Sequence, residues 1–206
     1  MLTYVKRMDP RVKRTHQLLQ QALLELMQAK RFSSITVHDI AARARLNRAT
    51  FYAHFEDKFH LLDALIREQF QQEMASTLSS GPSWGVGPLR ALTEAVFDFL
   101  RTGRCQWKPT ETEVDALFEQ IVREEIEEVL LSWLKQVPDS GMGQRVSPAT
   151  MASVMSWAIF GAAAHWSRGA RTSSREQRVT QVLIVLTEGV LHLTAGHRLL
   201  GPGPQG

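Results

Sequence analysis

The link between two short helical patterns limits the fold of this chain more than any other feature. The segment TVHD has the form of a capping box, in which Thr36 begins a helix and the carboxylate of Asp39 returns to its first residue. Asn47 can cap the next helix, so that little more than Arg45 and Leu46 joins the two. Such a link is too short for antiparallel packing and predicts a helix-turn-helix.

Helical periodicity extends over nearly the whole chain. Asp9 and Pro10 can open a first helix that fades near Lys30, and Asp57 can cap a fourth that runs to about Leu78. The sequence shows no alternating strand pattern and no internal repeat, so we predict an all-α fold. Four longer amphipathic segments follow the fourth helix and are separated by turn-rich sequences, at about residues 87–102, 111–136, 148–168 and 175–195.

Formal charge is divided unevenly along the chain. Residues 1–60 hold 11 Lys and Arg against 5 Asp and Glu, a formal charge of +6, whereas residues 61–206 carry −3. A basic N-terminal part on a slightly acidic remainder indicates that the N-terminal part meets a polyanion. A solvated basic surface would give the same pattern, so charge alone leaves both readings open.

The third helix has a mixture of side chains that suits the major groove of DNA. If Phe51 and Phe55 form its buried face, Tyr52 and His54 lie on the two flanks of the exposed face. Small or hydrogen-bonding residues at the crest allow base edges to come close, and polar tips on the flanks reach the phosphate ridges. The helical period turns three such small residues away from the core: Ala49, Thr50 and Ala53. In the alternative reading, Tyr52 and His54 only border the core of a small helical hairpin.

Residues next to this helix add to the predicted DNA surface. Asn47 and Arg48, at the helix N-terminus, can reach bases or phosphates. Lys58 opens the fourth helix, where free backbone N–H groups and the ammonium together favour a phosphate.

The segment ITVHDIAARARLNRATFYAHFEDKFHLLDAL, residues 35–65, resembles the DNA-binding head of the TetR family of bacterial transcriptional regulators. The resemblance implies about nine helices, with a three-helix helix-turn-helix head, a connector helix and a helical C-terminal body that dimerises and often holds a small effector. We therefore divide the chain into a DNA-binding domain at 1–56, a dimerisation and effector-binding domain at 57–196, and a disordered tail at 197–206.

Carried over residue by residue, the resemblance implies two kinds of DNA contact. Phosphate contacts would come from Thr36, Tyr52, His54 and Lys58, and base or backbone contacts from Asn47, Arg48, Ala49 and Thr50. Two positions depart from the family pattern, because Arg45 and Ala49 stand where glycine is usual. A left-handed conformation at Arg45 would cost about 1 kcal/mol, so either the turn differs slightly or the Arg45 side chain meets a phosphate.

The last two helices carry more apolar and small residues than one chain readily covers. We predict that two copies pair these helices as a four-helix bundle, although the same residues could form the core of a monomer. The predicted interface residues are Val154, Gly161, Ala162, Val182, Leu183, Leu186 and Val190.

Aromatic and methionine positions in the body form a candidate effector pocket. Such residues at helical spacing are also typical of a plain core, so this reading stays open. The candidate lining residues are Phe97, Leu100, Trp107, Leu117, Phe118, Ile121, Trp133, Met155 and His165.

These patterns predict a sequence-specific regulator that represses transcription as a homodimer on a palindromic operator in double-stranded DNA and is released by a small-molecule effector. In the alternative, the same head carries a body that takes no small molecule and serves as a coactivator or protein-docking module. We expect no enzyme, no cofactor and no metal site, since the phosphate-loop, nucleophile-elbow and metal-spacing motifs are missing.

We also expect a cytoplasmic protein without a membrane partner. No apolar run approaches the roughly 20 residues that span a bilayer, and the N-terminus lacks the pattern of a signal peptide. The single cysteine, Cys105, is read as an ordinary thiol.

Overall fold

A computed structural model of the protein describes residues 9–77, 84–106, 111–137, 146–169 and 174–194. For residues 103–106 and 189–194 it describes the backbone but not the side chains. The described residues contain no strand, which confirms the all-α prediction for that part of the chain. Eight α-helices are present there, against about nine predicted: α1 Pro10–Ala29, α2 Val37–Arg43, α3 Arg48–Tyr52, α4 Lys58–Thr77, α5 Val86–Gln106, α6 Thr112–Leu134, α7 Pro148–Arg168 and α8 Arg175–Thr194. A short 3₁₀ helix, Phe32–Ser34, follows α1.

The predicted N-caps begin the first four helices. Asp9 accepts a hydrogen bond from the backbone N–H of Arg11 at 2.8 Å, with Pro10 in the first helical position. The capping box of α2 is complete, and Asn47 caps α3. Asp57 Oδ1 accepts from the N–H of His60 at 2.8 Å at the start of α4. Each bond satisfies a backbone donor that a helix terminus leaves free.

The chain divides into two compact units. The first comprises the residues up to Phe70 together with Thr102–Ile121, and the second comprises Gln71–Arg101 together with the residues from Val122 on. The first unit thus extends past the boundary predicted at residue 56 and includes the beginning of α6. The assignment of DNA binding to 1–56 and of dimerisation and effector binding to 57–196 stays a prediction, and the tail at 197–206 lies outside the described residues.

Each unit has its own apolar core. In the first unit, Leu23 of α1, Ile40 of α2 and Phe51 of α3 are fully buried. In the second unit the core comes from all its helices and includes Leu92, Val96, Ile126, Leu130, Ile159, Ala163 and Val179. The head helices α2 and α3 are short, and isolated helices of that length are marginal in water. Their stability therefore depends on this burial.

The candidate effector residues are divided between the two units. Leu117, Phe118 and Ile121 belong to the first unit, and Trp107 lies outside the described residues. In the second unit His165 is exposed, whereas four of the residues are buried: Phe97, Leu100, Trp133 and Met155. The single pocket that joins these residues stays a prediction.

Candidate functional sites

The turn between α2 and α3 has a left-handed conformation at Arg45, so the reading in which the turn itself differs does not hold. Arg45 has φ 57°, and it is the one non-glycine residue in the described ranges whose φ is positive. The N–H of Leu46 donates to the carbonyl of Ala41 at 2.9 Å, and that of Arg45 to Ala42 at 3.1 Å. These two bonds form a Schellman motif, which closes α2. Arginine thus occupies a conformation that favours glycine, at a strain of about 1 kcal/mol, and its side chain is exposed.

The exposed face of α3 carries small side chains at its crest, as predicted. Ala49 and Ala53 are exposed, while Phe51 on the opposite face is fully buried. Asn47 is engaged at the helix start, because its Oδ1 accepts from the N–H of Thr50 at 2.6 Å and from the Thr50 hydroxyl at 2.9 Å. Asn47 therefore fixes the helix N-terminus, and Thr50 keeps hydroxyl lone pairs for a further partner.

Three larger side chains border this crest. Tyr52 is 51% exposed, and the guanidinium carbon of Arg48 lies 6.0 Å from the centre of its ring. His54 is only half-buried, and its ring meets that of His16 on α1 edge-on at 5.2 Å. Tyr52 therefore lies on the surface. His54 fits both readings of the sequence, because its side chain is partly exposed while one side of its ring borders the core.

The side chain of Lys58 is bonded within the head. Its ammonium donates to three backbone carbonyls in the turn between α1 and α2: Phe32 at 2.9 Å, Ser33 at 3.2 Å and Ile35 at 2.9 Å. An ammonium has three donors, so these bonds occupy all of them. The ammonium thus holds the turn, and its predicted contact with a DNA phosphate stays a prediction.

Thr36 is likewise committed within the head. Its hydroxyl donates to Oδ2 of Asp39 at 2.8 Å, and its N–H donates to the same oxygen at 2.9 Å. The ammonium of Lys30 donates to this oxygen at 2.8 Å. The hydrogen bond from Lys30, followed by those from Thr36, holds the pKa of Asp39 well below its usual range. Thr36 thus secures the start of α2.

Two contacts were not evident from the sequence. His16 packs against His54 and against Phe55, with ring centres 4.6 Å apart for the latter pair. The N–H of Ser33 donates to Oε2 of Glu111 at 2.8 Å. The partners in both contacts are far apart along the chain, so no spacing rule could have joined them.

The histidines around Phe55 predict a pH-dependent head. Burial, followed by the charge of His54, lowers the pKa of His16 from its ordinary value of 6.5, His60 lowers it further, and Glu68 opposes the shift. The unfolded chain then binds a proton at this site more readily than the folded head. We expect the unfolding free energy to decrease as the pH falls below 6.5.

Urea unfolding at pH 7.5 and at pH 5.5 measures this effect, with His16→Gln as the test. The variant should lose less stability than the unaltered protein between the two pH values. His38→Gln, at an exposed position on α2, is the matched control. An equal loss in His16→Gln and in the unaltered protein would contradict the assignment.

The second unit presents apolar side chains to solvent on α7 and α8. Val154 is 62% and Val185 69% exposed, and Trp157 and Ile184 are also exposed. A cavity of about 350 Å³ opens between the two helices, lined by apolar residues together with His165, Arg178 and Gln181. His165, a predicted effector residue, is thus placed at this cavity.

Two of the predicted interface residues, Leu183 and Leu186, are already buried in the single chain, which favours the monomer-core reading for them. Gly161 is exposed and meets no atom within 4 Å of an added Cβ, and Ala162 and Val182 are half-buried. The side chain of Val190 lies outside the described residues.

The described residues hold no group of side chains suited to a metal ion and no membrane-spanning helix. Nowhere in those ranges do three or more His, Cys, Asp or Glu side chains come together as a metal site. None of the described helices has the length and apolar character needed to cross a membrane.

Comparison with known proteins finds a family model that is similar to the head. Residues 19–65 match the model of the family described as bacterial regulatory proteins, tetR family. Over 80 residues the chain is 35% identical to YxbF of Bacillus subtilis (strain 168), an HTH-type transcriptional regulator described as uncharacterized. That segment is 38% of this chain, and it spans only 21% of YxbF.

Solved structures extend the likeness to the fold of the whole chain. Thermus thermophilus FadR, a TetR-family transcriptional repressor in complex with lauroyl-CoA, superposes with a TM-score of 0.52 at 21% identity, over 93% of this chain and 100% of FadR. The dihydroxyacetone kinase operon activator DhaS superposes with a TM-score of 0.56 at 18% identity, over 86% of this chain and 96% of DhaS. At such identities the likeness shows the fold alone.

Proposed function

We propose that this chain is a member of the TetR family, whose model its residues 19–65 match, and that it is a sequence-specific DNA-binding repressor that acts as a homodimer and is released by a small-molecule effector. The observation that carries the proposal is the exposed crest of α3. Ala49 and Ala53 face solvent there, on the side of the helix away from the fully buried Phe51. A crest of such small residues can approach base edges in the major groove.

The contacts within the head suggest how the DNA-binding roles are shared. We assign base contacts to Arg48, Ala49 and Thr50, since these lie at the N-terminal end of α3, which enters the groove first. The methyl group of Ala49 suits the methyl group of a thymine. Tyr52, His54 and Arg45 are assigned to phosphates. Three residues act by positioning instead, because their polar groups are bonded within the head: Thr36, Asn47 and Lys58.

Two arginines separate base contacts from phosphate contacts. Arg48→Ala should cost about 1–3 kcal/mol at particular operator positions and flatten the base preference there. Arg45→Ala should weaken binding to operator and random DNA by similar factors, because a phosphate looks alike beside every base pair. Titrations against the operator, its single-base variants and random duplex, all at one salt concentration, distinguish the two losses.

The assignment would be wrong if Arg45→Ala changed the base preference while Arg48→Ala left it intact. Arg31→Ala serves as a control, since Arg31 is exposed and lies before α2. The operator itself is found by selecting genomic fragments that the purified protein binds. A palindrome with half-site centres about 34–36 Å apart, or a multiple of that spacing, is the expected result.

The proposal for the body rests on the exposed apolar face of α7 and α8 and on the FadR likeness. FadR is a repressor with a bound acyl-CoA, which supports repression and release by an effector in this chain as well. DhaS, with the same fold, is an operon activator, and this favours activation as the second candidate. A reporter gene downstream of the selected operator decides between them, because deletion of the repressor raises its expression and deletion of an activator lowers it.

A further inference from the structure

A carboxylate at the beginning of α6 is bonded to the DNA-binding head. Glu111 directly precedes α6, and its carbonyl accepts the helical hydrogen bond from Asp115 at 3.0 Å. Its side chain reaches the turn between α1 and α2, where Oε2 accepts from the N–H of Ser33 at 2.8 Å. The partners are 78 positions apart, and both belong to the first unit. The predicted division at residue 56 would have separated them.

The same turn is held from a second side by Lys58. Its ammonium bonds the carbonyls of Phe32, Ser33 and Ile35 and lies 4.6 Å from the centre of the Phe32 ring. The Phe32 ring is buried and packs edge-on against Phe59 at 5.1 Å. Lys58 therefore binds the carbonyl groups of the turn, and Glu111 binds one of its N–H groups. Together the two side chains fix the backbone of residues 32–35.

This turn sets the start of the helix-turn-helix. Thr36, the N-cap of α2, is the next residue after Ile35. The tight Schellman turn then links α2 to α3 with no room for a flexible connection. A shift of residues 32–35 must therefore also move α2 and α3.

We infer that Glu111 is a positioning residue for DNA binding, which fixes the turn before α2 from a helix outside the helix-turn-helix. The inference rests on the proposed function. α6 continues to Leu134, and its residues from 122 on belong to the second unit. Glu111 thus ties the turn before α2 to the beginning of α6, within the first unit. Withdrawal of this carboxylate lowers the affinity for operator and random DNA alike, because it displaces the whole motif.

Amide hydrogen exchange tests the contact itself. In Glu111→Ala the N–H of Ser33 should exchange roughly tenfold faster, the factor for losing a hydrogen bond of ordinary net strength. Glu111→Gln keeps an acceptor oxygen and should restore most of the protection. Glu113→Ala is the matched control, since Glu113 is an exposed carboxylate in the first turn of the same helix. Unchanged exchange at Ser33 in Glu111→Ala would overturn the inference.

Titration with duplex DNA tests the positioning role. Glu111→Ala should bind several-fold more weakly than the unaltered protein, with Glu111→Gln between the two and Glu113→Ala unaffected. If the unaltered protein binds DNA and Glu111→Ala binds it equally well, the inference fails and the proposed function stands. If the unaltered protein binds no duplex, the proposed function fails and the positioning role fails with it, whatever the exchange rates show.

Discussion

Phe51→Ala should destabilise the head by about 3–5 kcal/mol, the usual loss for a large aromatic side chain removed from a core. Phe51 is fully buried and packs against Phe55 at 6.0 Å and Tyr52 at 5.5 Å between ring centres. Its helix has only five residues, Arg48–Tyr52, and cannot persist without this anchor. Urea unfolding followed by circular dichroism measures the loss, and DNA binding should disappear with it.

The neighbouring aromatic residue is the matched control. Tyr52 is half-exposed, so Tyr52→Ala should change the unfolding free energy by no more than about 1 kcal/mol. The same substitution should weaken DNA binding, because Tyr52 lies on the flank assigned to a phosphate. If Tyr52→Ala destabilised the head as strongly as Phe51→Ala, or Phe51→Ala left it stable, our reading of the two faces of α3 would be incorrect.

Val154→Asp combined with Val185→Asp should convert the proposed dimer into monomers. Both valines are exposed on the face of α7 and α8 that we assign to the partner. In a two-fold interface each substitution appears twice, so four carboxylates would be desolvated without partners. At about 1 kcal/mol or more for each buried unsatisfied group, the loss reaches about 4 kcal/mol. Dimerisation should weaken by about a thousandfold.

Sedimentation over a range of concentrations measures this change. Val86→Asp is the control, because Val86 is an equally exposed valine at the start of α5. Substitutions at the buried Leu183 or Leu186 would not serve, since they would damage the core of the unit itself. A double variant that still sediments as a dimer, or an unaltered protein that is monomeric at micromolar concentration, would refute the interface.

The local features of the fold could be predicted because each depends on residues close together in the sequence. The caps at Asp9, Thr36, Asn47 and Asp57 bond to backbone groups two or three positions away, and all four are present. At Arg45 the sequence leaves two readings open, a slightly different turn or a left-handed arginine, and the positive φ of the structure decides for the second. At the four caps the chemistry of one short segment determines the structure.

Features that depend on distant partners could not be predicted in the same way. A lysine at the start of a helix is compatible with a phosphate, and only the fold reveals that the Lys58 ammonium meets carbonyls 23 to 26 residues away. Along α8, Leu183 and Val185 are both apolar, and hydropathy does not say which of the two side chains is buried within the single chain and which is exposed. Leu183 is 4% exposed and Val185 is 69% exposed. Packing against α7 decides between them.

The hydrogen bond between Ser33 and Glu111 has a consequence for how the head forms during synthesis. The hydrogen bonds that Lys30 and Lys58 make around the turn can form once α4 has begun to emerge from the ribosome. Glu111 emerges more than 50 residues after Lys58, which is several seconds later at about 5–20 residues per second. A nascent head therefore folds around the Lys58 contacts first. It gains its last constraint on the α1–α2 turn only when the beginning of α6 has been made.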